Sequence, residues 1–284
     1  MNRLKKMSRG YKAVKWIMFV VFVVYSLTLL LPFVWMFYSS FKSSGDFNAG
    51  NVFGFPEEWK FDNIIEVLKY EIEGQSVLSM LGMSVLTTLL GTVINVGLSA
   101  VAAYAVSKYK FPGRKVILGV AIFTMIVPIV GTLPAQVQMM ETFHMQDSLI
   151  GVLFLYSGCF GFNFIMLHGS FETISWSYAE AAQIDGANRA QILFRIMLPI
   201  AKGPIIAVSI LQAIIYWNDY STPFLFMNSY KTLAVGLYSL QNDMQNDYPM
   251  VFSAVMVAVL PVVILFAVFQ KTIIKNTVAG GLKG

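Results

Sequence analysis

Long apolar runs without charge dominate the chain, and the charged residues lie in the short segments between them. A helix needs about 20 mostly apolar residues to cross the hydrocarbon core of a membrane. No stretch alternates apolar and polar residues in units of about ten, which is the pattern of a membrane β-barrel strand. The pattern therefore predicts an all-α membrane protein with six transmembrane helices. The six runs are Trp16–Phe41, Gly74–Ser107, Val116–Met140, Ser148–Ser170, Gly203–Asn218 with its continuation Tyr220–Tyr230, and Tyr248–Gln270.

Composition supports the same class of protein. Of the 284 residues, 57% are hydrophobic and 12% are charged. A soluble protein is about 45–50% apolar and about 25% charged, so a soluble globular domain is excluded. A disordered chain would combine low hydrophobicity with high net charge, and a disulfide scaffold would need more than the single Cys159. We expect one membrane domain over residues 16–273, a segment before it over 1–15 and a tail over 274–284.

Basic residues are distributed unevenly between alternate loops. The segment before the first run, the loops after the second and fourth runs, and the tail together hold 16 Lys and Arg residues, whereas the other loops hold four. Cytoplasmic loops are the ones rich in Lys and Arg, so both termini are predicted to be cytoplasmic. The chain would lie in the cell membrane, in contact with lipid. This distribution explains the net charge of +5, which gives no reason to expect a nucleic-acid partner.

The first external segment, residues 42–74, carries seven acidic side chains. Within Phe61–Tyr70, the apolar residues Ile64, Ile65 and Leu68 have the spacing of a short amphipathic helix. Two interpretations remain open for this segment. It is either a solvated cap on the outer face or a docking surface for an extracellular partner.

The loop between the fourth and fifth runs has the sequence of two short helices separated by a glycine. Ser177 and Glu180 have the spacing of a capping box at the start of the first helix. Gly186 can end that helix in a left-handed conformation. Asn188 can cap a second helix, which Pro199 would end. A short ordered helix with small side chains in a polar loop suits insertion into a groove of a partner protein.

These residues resemble a known family. The sequence EAAQIDGA at Glu180–Ala187, followed by the Leu198–Pro199 pair, is similar to the EAA loop of ABC importer permeases. Lys110–Arg114, Trp217–Asp219 and Ala279–Gly284 are similar to elements of the carbohydrate-uptake branch, in its second type of permease subunit. The resemblance covers nearly the whole chain and implies the type I ABC importer permease architecture.

The resemblance also implies partners and roles. The chain would pair with a second permease subunit, and loop 171–203 would couple this pair to a separate ATPase dimer through residues 177–199. An extracellular solute-binding protein would deliver a sugar, oligosaccharide or polyol-type solute, and the tail would reach the ATPase. The implied residues are Glu180, Ala181, Ala182, Asp185, Gly186, Ala187, Leu198 and Pro199 for coupling, Trp217, Asn218 and Asp219 for the translocation path, and Gly280, Gly281 and Lys283 for the tail.

Residues for catalysis are not evident in the sequence. It contains no G-x-x-x-x-G-K-[S/T] loop, so ATP would bind to another subunit. It also contains no candidate catalytic triad and no cluster with metal-ligand spacing. We therefore expect a transporter subunit rather than an enzyme, with no metal and no cofactor.

Polar residues at membrane depth have two interpretations each. Asp219 either lines the translocation path or forms structural hydrogen bonds at a helix break, since a carboxylate in lipid needs a partner. Trp217 either stacks on a sugar or packs between helices. Asn95, Asn163 and Gln212 either bind sugar hydroxyls or bond across helices, and the second reading is favoured.

A different class of protein remains the alternative. A self-contained secondary transporter or channel would need charged residues within the membrane for ion coupling, and often internal repeats. Asp219 is the only acidic residue placed at membrane depth, and no convincing repeat relates residues 1–140 to 141–284. This alternative also leaves the capped loop at Glu180–Gly186 without a role.

Overall fold

A computed structural model describes residues 9–127, 131–243 and 247–281, which are mostly helical. The hydroxyl oxygen of Ser76 accepts a hydrogen bond from the Ser79 N–H at 3.3 Å and thereby caps the start of the long helix Val77–Lys108. In chain order the elements are α1 (Arg9–Ser39), α2 (Ser44–Asn48), α3 (Asp62–Lys69), β1 (Glu71–Ile72), β2 (Gln75–Ser76), α4 (Val77–Lys108), α5 (Arg114–Ile126), α6 (Leu133–Thr142), α7 (Leu149–Tyr156), α8 (Phe162–Thr173), α9 (Ser177–Ile184), α10 (Arg189–Ile192), a π-helical turn (Leu193–Met197), α11 (Leu198–Ile200), α12 (Lys202–Asn218), α13 (Ser221–Phe226), α14 (Leu233–Asp243) and α15 (Tyr248–Gly281).

Three helices within the described residues are long and apolar enough to cross a membrane. They are Gly10–Ser39, Val77–Lys108 and Tyr248–Lys271. A fourth crossing is possible if Arg189–Ile200 and Lys202–Asn218, which meet at 78°, count as one bent span. The chain is therefore a helical membrane-embedded protein, whereas the predicted count of six spans is not confirmed.

The third and fourth predicted runs are each divided. Val116–Met140 contains most of α5 and α6, and Pro128, a proline within this run, lies outside the described residues. Ser148–Ser170 is divided between α7 and α8 by an irregular segment at residues 157–161. Apolarity alone does not show such breaks, because a broken helix and a continuous one can have the same apolar composition.

The fold contains two compact units. One is formed by Met1–Tyr70 with Gln241–Val257, and the other by Glu71–Leu240 with Ala258–Gly284. The first unit contains α3, which confirms the short amphipathic helix predicted around residues 61–70. Val67 is its buried apolar residue, whereas Ile65, one of the predicted apolar positions, is 52% exposed.

Lys42 is the largest fully buried side chain of the first unit. Its Nζ donates hydrogen bonds to the carbonyl oxygens of Asn51 and, at 3.2 Å, Val52. The ammonium also lies 5.6 Å from the ring centre of Tyr38. Asn63 of α3 donates to the Lys42 carbonyl oxygen at 2.9 Å. The segment over residues 42–74 therefore folds around a buried cation whose donors are satisfied by carbonyl oxygens.

Packing in the second unit centres on α4, which contacts α8 and α12. Ala100 and Ala103 of α4 are buried in a cluster with Phe164 and Leu167 of α8 and Val208 of α12. Small side chains on α4 allow the neighbouring helices to approach closely, as in other membrane helix packing. This cluster also includes buried residues of the loop between α8 and α12, which fixes that loop to the membrane part.

A polar clamp, defined as Glu73, Gln75, Asp147, Ser229 and Lys231, joins three loops of the second unit. Lys231 Nζ pairs with the Glu73 carboxylate, and Gln75 Nε2 donates to the Ser229 carbonyl oxygen at 2.9 Å. The Ser229 N–H donates to Asp147 Oδ1 at 2.7 Å. The hydrogen bond from Lys231, and then its charge, lower the pKa of Glu73, while hydrogen bonds from Ser229 lower the pKa of Asp147. The clamp therefore depends on both carboxylates being ionised.

Candidate functional site

The turn after α9 has the geometry predicted for it. Gly186 adopts a left-handed conformation with φ of +81°. The Gly186 N–H donates to the Gln183 carbonyl oxygen at 3.0 Å, and the Ala187 N–H donates to the Ala182 carbonyl oxygen at 2.9 Å. These two bonds form a Schellman motif, which satisfies the last carbonyl groups of the helix. The prediction for Gly186 is confirmed.

The start of α9 differs from the prediction. Ser177 is already the first helical residue, Trp176 occupies the capping position, and no side chain caps that end. The Ser177 N–H donates to the Ser175 hydroxyl oxygen at 3.3 Å instead. The predicted capping box of Ser177 and Glu180 is therefore wrong, because the helix begins one residue too early for Ser177 to act as the cap.

A capping box is present at the second short helix. The Gln191 N–H donates to Asn188 Oδ1 at 2.9 Å, and the Asn188 N–H donates to Gln191 Oε1 at 2.8 Å. This confirms the prediction that Asn188 caps the helix. The helix does not end before Pro199 as predicted, because it continues through the π-helical turn to Ile200. The wider π-helical turn precedes the proline, whose ring would clash with the carbonyl group four residues earlier in a regular helix.

One face of α9 is buried and the other is exposed. Ala179 and Ala182 lie in the cluster that contains the core of α4 and α8. Ile184 is 87% exposed, and Glu180 and Ala181 are also exposed on the outward side. The outward face of α9 thus carries an exposed isoleucine beside polar side chains. Ile184 was not among the predicted coupling residues, although its position opposite two alanines at helical spacing is visible in the sequence.

The predicted coupling residues divide between these two faces and the following helix. Asp185 and Gly186 are exposed, whereas Ala187 packs against the buried cluster. Leu198 and Pro199 line a cavity of about 630 Å³, which α4 borders on the other side. The structure therefore places the predicted coupling residues on one continuous segment, with Ala182 and Ala187 inward and Glu180, Ala181 and Asp185 outward.

Aromatic and cationic side chains attach this segment to the end of α4. The Tyr109 ring meets the Trp176 ring edge to face at 5.8 Å, and the Arg189 guanidinium lies 5.7 Å from the centre of the Tyr109 ring. Lys108 Nζ donates to the Ile174 carbonyl oxygen at 2.5 Å. Tyr109 therefore contacts both sides of the segment, before α9 and after it.

A second group of polar residues surrounds Asp219, between α12 and α13. Its Oδ2 accepts a hydrogen bond from the Tyr156 hydroxyl at 2.8 Å, and its Oδ1 accepts one from the Thr222 N–H at 3.1 Å. The Tyr156 ring stacks on the Tyr216 ring, with centroids 3.9 Å apart. Gly91 of α4 leaves space for this stack, because a Cβ there would lie 2.7 Å from the Tyr156 ring and 3.2 Å from the Tyr216 ring.

The amides of Asn95, Asn163 and Gln212 bond to one another. Asn163 Nδ2 donates to Asn95 Oδ1 at 2.8 Å and to Gln212 Oε1 at 2.7 Å. Asn95 Nδ2 in turn donates to the carbonyl oxygens of Tyr156 and Gly158, at 3.0 and 2.8 Å. These carbonyl groups lie where α7 ends. The side-chain amide of Asn95 on α4 therefore satisfies backbone oxygens that the helix break leaves without intrahelical partners. This arrangement agrees with helix–helix bonding, the favoured interpretation.

The remaining residues predicted for the translocation path and the tail are Trp217, Asn218, Gly280, Gly281 and Lys283. Trp217 Nε1 donates to the Ala258 carbonyl oxygen of α15 at 3.0 Å. Asn218 is exposed, and its Nδ2 donates to the Ile214 carbonyl oxygen at 2.8 Å. Gly280 and Gly281 end α15, and Lys283 lies outside the described residues.

Among the described residues, no three His, Cys, Asp or Glu side chains are grouped so that they could hold a metal ion.

Comparison with known proteins identifies the class. Residues 95–277 match the model of the binding-protein-dependent transport system inner membrane component family. The arabinooligosaccharides transport system permease protein of Bacillus subtilis is 30% identical, over 93% of this chain and 94% of its own length. The diacetylchitobiose uptake system permease protein of Streptomyces coelicolor is 26% identical, over 88% of this chain and 83% of its own length.

A solved structure agrees with these relatives. A chain in the crystal structure of a bacterial ABC transporter involved in the import of the acidic polysaccharide alginate superposes with a TM-score of 0.81 at 25% identity. The match covers 93% of this chain and 98% of that chain. The fold and the relatives thus define a permease of the ABC importer type.

The chain belongs to the family of binding-protein-dependent transport system inner membrane components. This confirms the predicted resemblance and decides against a self-contained secondary transporter or channel. A permease subunit of this kind is a transporter component and not an enzyme.

Proposed function

We propose that this chain forms half of the pore of an importer for a sugar or oligosaccharide, with a second permease subunit forming the other half. The names of the relatives support the substrate class, since they refer to arabinooligosaccharides and diacetylchitobiose. The solved transporter of similar fold is likewise described by its import of a polysaccharide. The observation that carries the coupling part of the proposal is the outward face of α9, where Ile184 is 87% exposed.

In this proposal, α9 docks in a groove of a separate ATPase dimer. Ile184 and Ala181 supply the apolar contact, and Glu180 and Asp185 supply charge at its edge. Ala182 does not reach the partner, because it is buried against the membrane part. Gly186 sets the direction in which the chain leaves the groove. The ATPase would thus pull or push on a helix whose inner face is packed tightly into the permease.

Transmission to the membrane part would follow the contacts of Tyr109. This ring contacts Trp176 before α9 and Arg189 after it. Leu198 and Pro199 lie on the same segment and border the cavity beside α4. Closure of the ATPase dimer would therefore move α9 together with the cytoplasmic end of α4, and not α9 alone.

The translocation path would follow a polar strip, defined as Gln212 and Tyr216 of α12, Asp219 directly after that helix, Tyr156 and Asn163. Gln212 and Tyr216 are four positions apart, so they share one helical face. The amides, hydroxyls and carboxylate of the strip now bond to one another. Saccharide hydroxyl groups donate and accept in the same way and could exchange with these bonds. Trp217 and Asn218 flank the strip and would contact the solute from the side.

The proposal also covers the delivery of the solute, the orientation of the termini and the tail. An extracellular solute-binding protein would deliver the solute to the outer loops, and both termini would be cytoplasmic. The tail around Gly280, Gly281 and Lys283 would reach toward the ATPase.

The proposal is tested by changing the outward face of α9 and nothing beneath it. Tagged Ile184→Asp and wild-type chains are purified from native membranes in mild detergent, and the copurifying ATPase is measured. Ile65→Asp of α3 is the matched control, because Ile65 is also exposed on a short helix but lies on the predicted external side. We expect the ATPase to be retained by the wild type and by Ile65→Asp and lost from Ile184→Asp. ATPase retained by both variants would contradict docking at α9, and uptake into liposomes without ATP would contradict the importer.

A further inference from the structure

A cavity of about 570 Å³ lies at the start of α5, outside the regions assigned above to coupling and transport. Ligand pockets in proteins commonly have volumes of about 300–1,000 Å³, so it is large enough for a small polar group. Three of its lining residues are cationic and three are apolar. They are Lys110, Arg114, Lys115, Phe111, Val116 and Leu118.

Positive charge in this cavity exceeds the negative charge near it. Arg114 Nη2 lies 3.6 Å from Glu172 Oε1, and Glu172 also faces His168 at 3.8 Å. Lys110 and Lys115 are exposed, and neither forms an ion pair with any side chain of the described residues. Two cations are thus available to an anionic ligand even with the Arg114–Glu172 pair intact.

Backbone geometry adds donors at the same place. Gly113 precedes α5 with φ of +86°, a conformation that favours glycine. Within the described residues, no side chain caps this end of the 13-residue helix. The first N–H groups of a helix and its dipole favour a negatively charged group such as phosphate. The cations and these N–H groups therefore favour the same kind of ligand.

An apolar surface continues from the cavity along α5. Val116, which lines the cavity, is 67% exposed, and Val120 and Phe123 are 55% and 62% exposed. Their spacing of four and three residues places them on one face of the helix. A ligand for the whole surface would combine an anionic head with a long apolar chain.

We propose that this surface binds an anionic phospholipid, with its phosphate beside Lys110 and Lys115 and one acyl chain along Val116, Val120 and Phe123. Basic pockets beside transmembrane helices are known to hold anionic lipid head groups. The lipid would hold the start of α5 at the level of the head groups. This site is independent of the proposed solute and of docking at α9.

The experiment measures lipid binding to the full-length chain in detergent by native mass spectrometry, with phosphatidylglycerol and phosphatidylcholine of equal acyl chains. A lysine near an anionic lipid surface strengthens binding about five-fold, so Lys110→Gln with Lys115→Gln should weaken phosphatidylglycerol binding about 25-fold. The control, Lys60→Gln with Lys69→Gln, removes the same charge from exposed positions elsewhere and should leave binding unchanged. Far-ultraviolet circular dichroism verifies that both variants are folded.

Further measurements distinguish a phospholipid from a soluble phosphate and from a protein partner. Phe123→Ser should weaken phosphatidylglycerol binding and leave glycerol phosphate binding unchanged, because only the lipid has an acyl chain. Glycerol phosphate binding as tight as that of phosphatidylglycerol would overturn the lipid proposal in favour of a soluble phosphate. Equal binding of the two lipids by the wild type, or equal weakening in both charge variants, would overturn it as well. Unchanged lipid binding with loss of the copurifying ATPase in the Lys110 and Lys115 variant would assign the surface to a protein partner.

Discussion

The hydroxyl group of Tyr156 donates a hydrogen bond to Oδ2 of Asp219 across 2.8 Å, although the two residues are 63 positions apart in the sequence. An unpartnered carboxylate at the centre of a bilayer costs about 2.5–3.5 kcal/mol even on insertion scales. Tyr156 and the Thr222 N–H together provide donors to both carboxylate oxygens. Asp219 is therefore stabilised by bonds within the chain, whether or not a solute passes beside it.

Tyr156→Phe tests the contribution of this bond. The variant keeps the ring stack with Tyr216 and removes only the hydroxyl donor. A hydrogen bond to a charged group contributes about 1.5–3 kcal/mol, so we expect a lower free energy of unfolding by about that amount. Thermal unfolding in detergent measures the change, and Tyr220→Phe is the control because Tyr220 is exposed. Equal midpoints for the two variants would show that the bond to Asp219 does not stabilise the fold.

Gly91→Ala tests the close approach of α4 to the stacked rings. The added Cβ would lie 2.7 Å from the Tyr156 ring, so the rings or the helix must shift. Overpacking of this kind costs about 1–3 kcal/mol. Gly97→Ala on the same helix is the matched control, because no atom lies within 4 Å of its new Cβ. We expect Gly97→Ala to keep or raise the unfolding midpoint, and an equal loss in both variants would contradict the packing role of Gly91.

The sequence predicted the parts of this molecule that depend on local chemistry. Gly186 and Asn188 were predicted correctly, since a left-handed turn and a capping box involve only neighbouring residues. The division of the fourth run was not predicted, because the groups that stabilise it belong to α4. Asn95 satisfies the Tyr156 and Gly158 carbonyl groups from more than 60 positions away, and no local pattern relates them.

Two further differences also depend on residues distant in the sequence. The helix starts one position before the predicted start, and Ala179 and Ala182 within it are buried against residues distant in the sequence. The outward role of Ile184 becomes visible only when those alanines are known to be buried.

Gly186→Ala separates backbone conformation from crowding in the proposed coupling segment. No atom lies within 4 Å of the added Cβ, so its effect comes from the left-handed φ of +81° alone. This conformation costs about 1–2 kcal/mol for a residue with a side chain. We expect sugar-stimulated ATP hydrolysis by the assembled transporter to fall, and Gly186→Asn to be affected less because asparagine tolerates this conformation better. Gly169→Ala in α8 is the control, and a loss of similar size there would exclude a specific role for the turn.

Glu73 and Lys231 make the polar clamp sensitive to acid. The hydrogen bond and charge of Lys231 lower the pKa of Glu73 below its ordinary value of 4.5. The stabilisation is therefore complete above pH 4.5 and is lost as the pH falls through the lower pKa of the folded state. Glu73→Gln should lower the unfolding midpoint by about 2 °C at pH 7, the shift expected for about 1 kcal/mol in a chain of this size.

Acid should remove this difference, because protonated Glu73 and glutamine are alike in charge. The measurement is the difference in thermal unfolding midpoint between the wild type and Glu73→Gln in detergent, at pH 7 and well below pH 4.5. Because both proteins are compared at the same pH, effects of acid on the rest of the chain cancel. Glu71→Gln on β1 is the control, since Glu71 is exposed on the same hairpin. A difference between wild type and Glu73→Gln that persists undiminished in acid would mean that the ion pair with Lys231 is not its source.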